Sequence, residues 1–144
     1  MKQKSYHMKE SEVKKEWVIV DANDQILGRT ATKVAMILMG KCKANFTPSM
    51  EMGDFVIVIN ADKIKVTGKK ESEKKYYHHS GYAGGLKTIS YKDLKAKHPE
   101  RILREAVLGM LPKNRLRAKM IKNLKIYVGE NHPHCAQKPV PVSY

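Results

Sequence analysis

Two unbroken apolar runs constrain this chain more than any other feature: Trp17-Val18-Ile19-Val20 and Phe55-Val56-Ile57-Val58-Ile59. A half-exposed strand alternates apolar and polar residues; a strand covered on both faces need not, and β-branched residues suit it. Both runs therefore predict strands inside a layered sheet. Between them, Leu27, Ala31, Val34, Ala35 and Leu38 recur at helical spacing, and Gly40 closes that segment. Further on, Ser90 to Lys97 predicts a short helix stopped by Pro99. Glu100 to Leu111 predicts a longer one with Ile102, Leu103, Ala106, Val107 and Met110 turned inward, stopped by Pro112. Residues 115–122 continue as a basic helix, and Leu124 to Val128 reads as a strand ended by Gly129. Ile64 and Val66 suggest a half-exposed strand ending at Gly68, residues 69–88 read as irregular, and the tail from 130 as extended. Strands and helices in alternation give an α/β layer fold with a mainly parallel sheet. At 144 residues the chain fits one domain, expected over 16–144 behind a flexible, solvated tail at 1–15. Met36, Met39, Met50, Met52, Met110 and Met120 are expected to fill gaps in the core.

Charge is the second strong signal. The net charge is +14, and it is polarised. Residues 1–60 hold 9 basic and 7 acidic residues; residues 61–144 hold 19 and 7. A cationic surface concentrated in this way points to a polyanion, and nucleic acid is the commonest, because each neutralised phosphate releases a condensed counterion. A membrane surface fits less well, since the basic residues fall in loops and short elements and not along a strongly amphipathic basic helix. No apolar stretch approaches bilayer length, and the N-terminus lacks the apolar core of a secretory signal. Two cysteines, Cys42 and Cys135, are too few for a disulfide framework and fit a reducing compartment.

The motifs divide into those that fail and those that stand. Val66-Thr67-Gly68-Lys69-Lys70 resembles a phosphate loop, but Lys63 stands where the first glycine belongs and Lys70 where Ser or Thr belongs. A basic turn that touches phosphates, or a merely solvated one, fits better. Gly28 after the first strand is a single glycine where a dinucleotide fingerprint needs several, so no nucleotide cofactor is expected. Arg29 beside it is placed to meet an anion. His132-Pro133-His134-Cys135 lacks the paired spacing of a zinc site, and no metal is expected. Its histidines are expected to meet RNA phosphates or the protein's own core. Asp21, Asp54 and Asp62 lie at strand ends, where α/β enzymes place catalytic groups, though helix capping and turn formation are the ordinary use of Asp there. The richest stretch is Lys74-Lys75-Tyr76-Tyr77-His78-His79-Ser80-Gly81-Tyr82-Ala83-Gly84-Gly85. Lysines attract phosphates, tyrosines stack on unpaired bases, and glycines let backbone approach a phosphate closely. A disordered basic loop with two tyrosines tucked into the core is the plainer reading.

Several segments, in order, resemble one family. They include Leu27-Gly28-Arg29, Gly53-Asp54-Phe55-Val56-Ile57-Val58-Ile59-Asn60-Ala61, His79-Ser80-Gly81-Tyr82, Gly84-Gly85-Leu86-Lys87, Gly109-Met110-Leu111-Pro112-Lys113-Asn114 and His132-Pro133-His134. Together they run from about residue 16 to 139, and by them the chain is similar to the thirteenth family of large-subunit ribosomal proteins, of bacterial type. Departures occur at Arg117-Ala118, where the family usually shows Gly then Arg, and at His78 and Ala83, where Arg and Pro are common. The resemblance implies a three-layer α/β/α domain around a four-stranded, mainly parallel sheet. It also implies a cytoplasmic, non-enzymatic ribosomal constituent that binds large-subunit ribosomal RNA early in assembly, beside neighbouring large-subunit proteins. Messenger RNA is the alternative partner and a small nucleotide-handling α/β enzyme the alternative activity; no membrane and no small-molecule substrate is expected.

The residues expected to face RNA fall into four groups. Arg29, Lys41 and Lys43 lie in the first half. Lys69, Lys70, Lys74, Lys75, Tyr76, His78, His79, Ser80, Tyr82, Gly84 and Gly85 form the first loop. Lys113, Asn114, Arg115, Arg117 and Lys119 form the second, and His132, His134, Gln137 and Lys138 the C-terminal segment.

Overall fold

A computed structural model describes residues 8–142, so residues 1–7 of the expected N-terminal tail lie outside the described residues. The two apolar runs become strands β1 (Trp17–Asp21) and β2 (Phe55–Ile59), paired in parallel with Trp17 opposite Phe55 and Asp21 opposite Ile59. A parallel pair needs a crossover, and helix α1 (Leu27–Met39) supplies it. Its first turn has no side-chain cap; the Leu27 N–H donates to the Lys65 carbonyl instead. Its end is a Schellman turn. Gly40 (φ 78°) donates to the Ile37 carbonyl and Lys41 to that of Met36. A Cβ on Gly40 would lie 2.9 Å from the Met52 carbonyl carbon, so glycine is required there twice over.

The second half adds α2 (Lys70–Glu73), a hairpin of β3 (Lys75–His79) and β4 (Leu86–Ser90), α3 (Tyr91–Lys97), α4 (Pro99–Met110), α5 (Arg117–Lys122), β5 (Leu124–Ile126) and β6 (Val140–Pro141). The main sheet is wholly parallel in the order β5-β2-β1-β6. Val18, Val20, Val56, Val58 and Leu124 turn to one face and meet Val34 and Leu38 of α1, Ile102, Leu103 and Val107 of α4, and Met120 and Ile121 of α5. Burying each such side chain contributes roughly 1.5–3 kcal/mol. The opposite face carries Trp17, stacked on Phe55 at 4.5 Å. Because β5 and β6 are the two edges, residues 127–139 must cross the width of the sheet, and the His134 ring lands on Trp17 at 5.1 Å. That segment, with one 3₁₀ turn at Cys135–Gln137, is the cover that makes a second buried face possible.

Four expectations need correction. Ile64 and Val66 form no strand: the only pairing there is an isolated bridge between Ile26 and Lys65, and Ile64 is buried in the helical core. Residues 69–88 are ordered as α2 and the hairpin, because cross-strand pairs such as Tyr76–Ile89 supply what apolar alternation does not. The C-terminal tail is extended where expected at Val140–Pro141, but it pairs there as β6, the fourth strand, and Cys135–Gln137 before it form a 3₁₀ turn. Met36 and Met110 are 40% and 42% exposed, whereas Met52 and Met120 are buried as expected.

Candidate nucleic-acid interface

The hairpin stands on the body through its inner face. Strand alternation puts Tyr76 and His78 on one side with their partners Ile89 and Lys87. The Tyr76 ring packs against the core beside Leu94, Arg101 and Glu105. Its hydroxyl is buried with no hydrogen-bond partner among the described residues, and burial, then nearby Tyr91 and Glu105, pushes its pKa up to about 12. Lys74 Nζ lies 5.2 Å from the centre of that ring. At the base, Tyr91 donates its N–H to the Lys74 carbonyl, and Ser90 caps α3 by accepting from the Asp93 N–H.

The outer face is open. It holds Lys75, Tyr77 and His79 against Ser90, Thr88 and Leu86. Tyr77 is 66% exposed and Tyr82, at the tip, 80%. The tip is built by glycine: Gly81 and Gly84 adopt φ of 94° and 71°, and Ser80 and Gly85 bond backbone to backbone at 3.1 Å. The His79 ring accepts from the Gly81 N–H at 2.9 Å. No Asp or Glu occurs between Glu73 and Asp93. Lys75, His78, His79, Ser80, Tyr82 and Gly84 are thus brought together, exposed, on one acid-free ribbon, with Lys69 and Lys70 exposed at its foot.

The second loop is divided in its use. Lys113 and Arg115 are exposed, Arg117 is half-buried and Lys119 is exposed. Asn114 Oδ1 accepts the Arg117 N–H at 3.0 Å, so it shapes the turn into α5. In the first half, Arg29 and Lys41 are exposed, but Lys43 is engaged with Asp54 and with the Lys14 carbonyl. His134 shares a 2.8 Å hydrogen bond with the Tyr127 hydroxyl and lies on Trp17; the buried Nδ1 of His132 has no partner among the described residues. Gln137 and Lys138 are exposed at the 3₁₀ turn.

The strand-end acids Asp21 and Asp54 do not converge. Asp21 accepts from Asn23 N–H and Asn60 Nδ2 at the C-terminal end of β1, while Asp54 sits before β2 at the opposite end. Five residues of strand, about 16 Å, separate those ends. Cys42 and Cys135 are both free and exposed, and no cluster of three metal-ligating side chains occurs among the described residues. Among the described residues no helix is long and apolar enough to cross a membrane.

Sequence reasoning missed one basic surface. Arg104 of α4, Lys122 of α5 and Lys125 of β5 converge on a surface cavity of about 460 Å³ at the open edge of the main sheet. The available signal was the absence of any Asp or Glu between Glu105 and Glu130.

Residues 15–133 match the family described as Ribosomal protein L13. The chain is 57% identical over 138 residues to the large ribosomal subunit protein uL13 of Chloroflexus aggregans, covering 96% of each chain. It is 55% identical over 136 residues to that of Herpetosiphon aurantiacus, covering 94% of each, and 54% identical over 136 residues to that of Francisella philomiragia, covering 94% of this chain and 96% of the relative.

Proposed function

This chain belongs to the ribosomal protein L13 family, and we propose that it is a structural, non-enzymatic constituent of the bacterial large ribosomal subunit that binds large-subunit ribosomal RNA and supports early assembly. One observation carries the RNA reading: an acid-free ribbon, braced on the core by Tyr76, presents Tyr77 and Tyr82 to solvent among lysines and histidines. Lys75 and Lys87 neutralise phosphates, the two exposed rings stack on unpaired bases, and the glycine tip admits backbone closely. Arg29, Lys113 and Arg115 add phosphate contacts from the body. In the cytoplasm the protein sits in the ribosome beside other large-subunit proteins, and its apolar exposed residues are available to them.

The test is sedimentation of cell extract at low salt, where the protein should co-migrate with large subunits. Replacing Lys69, Lys70, Lys74 and Lys75 with Ala should shift it toward the top of the gradient. Binding of the purified protein to large-subunit ribosomal RNA should weaken by about 0.7–0.9 log units per log unit of salt for each phosphate contacted. Binding with no salt slope would refute the mechanism.

A further inference from the structure

We infer that the open β5 edge is a second RNA contact, where Arg104, Lys122 and Lys125 grip sugar–phosphate backbone without reading bases; this rests on the RNA reading above. Three separate elements, α4, α5 and β5, deliver one cation each to the same cavity of about 460 Å³. None of the three makes an ion pair among the described residues, and no acid lies between Glu105 and Glu130. Glu105 itself lines the cavity beneath the hairpin. Uncompensated positive charge around a concave edge attracts a chain of phosphates.

The backbone contributes as well. β5 has one neighbour, β2, and the Tyr127 N–H donates inward to the Val58 carbonyl. By the alternation of a parallel strand, the Ile126 N–H faces the open edge, where a phosphate oxygen can accept it. The one aromatic in the cavity, Tyr127, has its hydroxyl tied to His134 and its ring 5.9 Å from that imidazole, so it is not free to stack on a base. A protein strand is a poor occupant: β5 is three residues long and carries a lysine, two features that discourage strand addition. α4 joins this edge to the hairpin. Arg101 lines the hairpin cavity and Arg104 the edge cavity, about 4.5 Å of helix rise apart, so one RNA segment can follow both.

The experiment measures the salt dependence of binding to a large-subunit ribosomal RNA transcript and to an unrelated RNA duplex. It compares the full-length protein, an edge variant (Arg104→Gln, Lys122→Gln, Lys125→Gln), a charge-keeping variant (Arg104→Lys, Lys122→Arg, Lys125→Arg) and a hairpin variant (Tyr77→Ala, Lys75→Gln, Lys87→Gln). The edge variant should lose about 2–3 from the slope of log affinity against log salt, with an equal fold-loss on both RNAs, and the charge-keeping variant should restore the slope. A wild-type slope in the edge variant, with a weakened hairpin variant, overturns the edge site alone. So does a loss confined to the ribosomal transcript, or a loss that the charge-keeping variant fails to restore. A wild-type protein that binds neither RNA overturns the RNA reading and this site with it.

Discussion

Tyr91→Phe is expected to stabilise the protein. The Tyr91 side chain is 1% exposed, opens α3 at the foot of the hairpin, and its hydroxyl has no hydrogen-bond partner among the described residues. A buried hydroxyl left unsatisfied costs about 1–3 kcal/mol. Phenylalanine keeps the ring and its packing and removes the orphan, so the expected gain is about 1–2 kcal/mol. For a chain of this size that raises Tm by about 3–6 °C. Tyr76→Phe should act in the same direction but less, because Tyr76 is only partly buried. The pH dependence follows from the same groups. Burial, and then Glu71, raises the Tyr91 pKa; burial, then Tyr91 and Glu105, raises that of Tyr76 to about 12. Below pH 10 both phenols are protonated whether the chain is folded or not, and stability is at its full value. Above it the unfolded chain ionises first, so stability falls as pH rises from 10 toward 12. The double phenylalanine variant should lose that part of the decline. Urea unfolding followed by circular dichroism, at pH 8 and across pH 9–12, reads both effects. A Tyr91→Phe variant less stable than wild type by 1 kcal/mol or more would show that the hydroxyl is bonded and the reasoning wrong.

Three further outcomes follow from the packing. Gly53→Ala should be strongly destabilising, by more than about 4 kcal/mol, because its Cβ would fall 1.8 Å from the Leu38 carbonyl oxygen, a backbone atom that cannot turn aside. Soluble expression and a thermal melt check it, with Gly28→Ala as the contrast: that Cβ meets nothing within 4 Å, and helix propensity predicts a gain of up to about 1 kcal/mol. Met110→Gln should change stability by no more than about 0.5 kcal/mol, since the side chain is on the surface; a loss near the 2–5 kcal/mol of a core methionine would return it to the interior. Asp54→Asn should lower stability by about 1–2 kcal/mol, because it removes the charge opposite Lys43; urea midpoints measure it, and an unchanged midpoint would show the pair to be worth nothing.

What could be read from the sequence follows from how each element is stabilised. β1, β2, α1 and α4 were legible because the core dictates their periodicity, and Val20, Val34, Val58 and Leu103 are completely buried. The hairpin was not, because Lys75-Tyr76-Tyr77-His78-His79 is polar on both faces and only Tyr76 is anchored inward. β6 was hidden for another reason. Proline argues against a central strand, and Pro141 is tolerated only because β6 is an edge. Among the candidate site residues, residue type and local charge were visible, but the use of each was not. Lys43, Asn114 and His134 look like their neighbours in sequence, yet each is engaged within the fold by a residue that only tertiary structure or turn geometry supplies. The edge cations were invisible for the converse reason, since Arg104, Lys122 and Lys125 meet only once three elements are packed.

The division of charge within the fold bears on how a +14 chain stays folded while its cations remain available. Among the described residues, the ion pairs of lysine all take their acid from the first half: Lys15 with Glu51, Lys43 with Asp54, and Lys65 with Asp24. Two of these acids, Glu51 and Asp54, sit just before β2 and hold the segment leading into β1: Glu51 pairs with Lys15 at 2.9 Å, and Asp54, paired with Lys43, accepts the Glu16 N–H at 2.9 Å. The acids are thus used where the scaffold is assembled. Beyond Lys65, the second half has one pair among the described residues, His98 with Glu100, and its other lysines and arginines have no carboxylate partner there. Mutual repulsion among those cations opposes compaction, and it is tolerated because they ride on a hairpin, a loop and a sheet edge braced by an uncharged core. On the RNA reading proposed above, phosphates supply the missing counter-charge, so the stability that the second half forgoes in isolation returns when RNA binds.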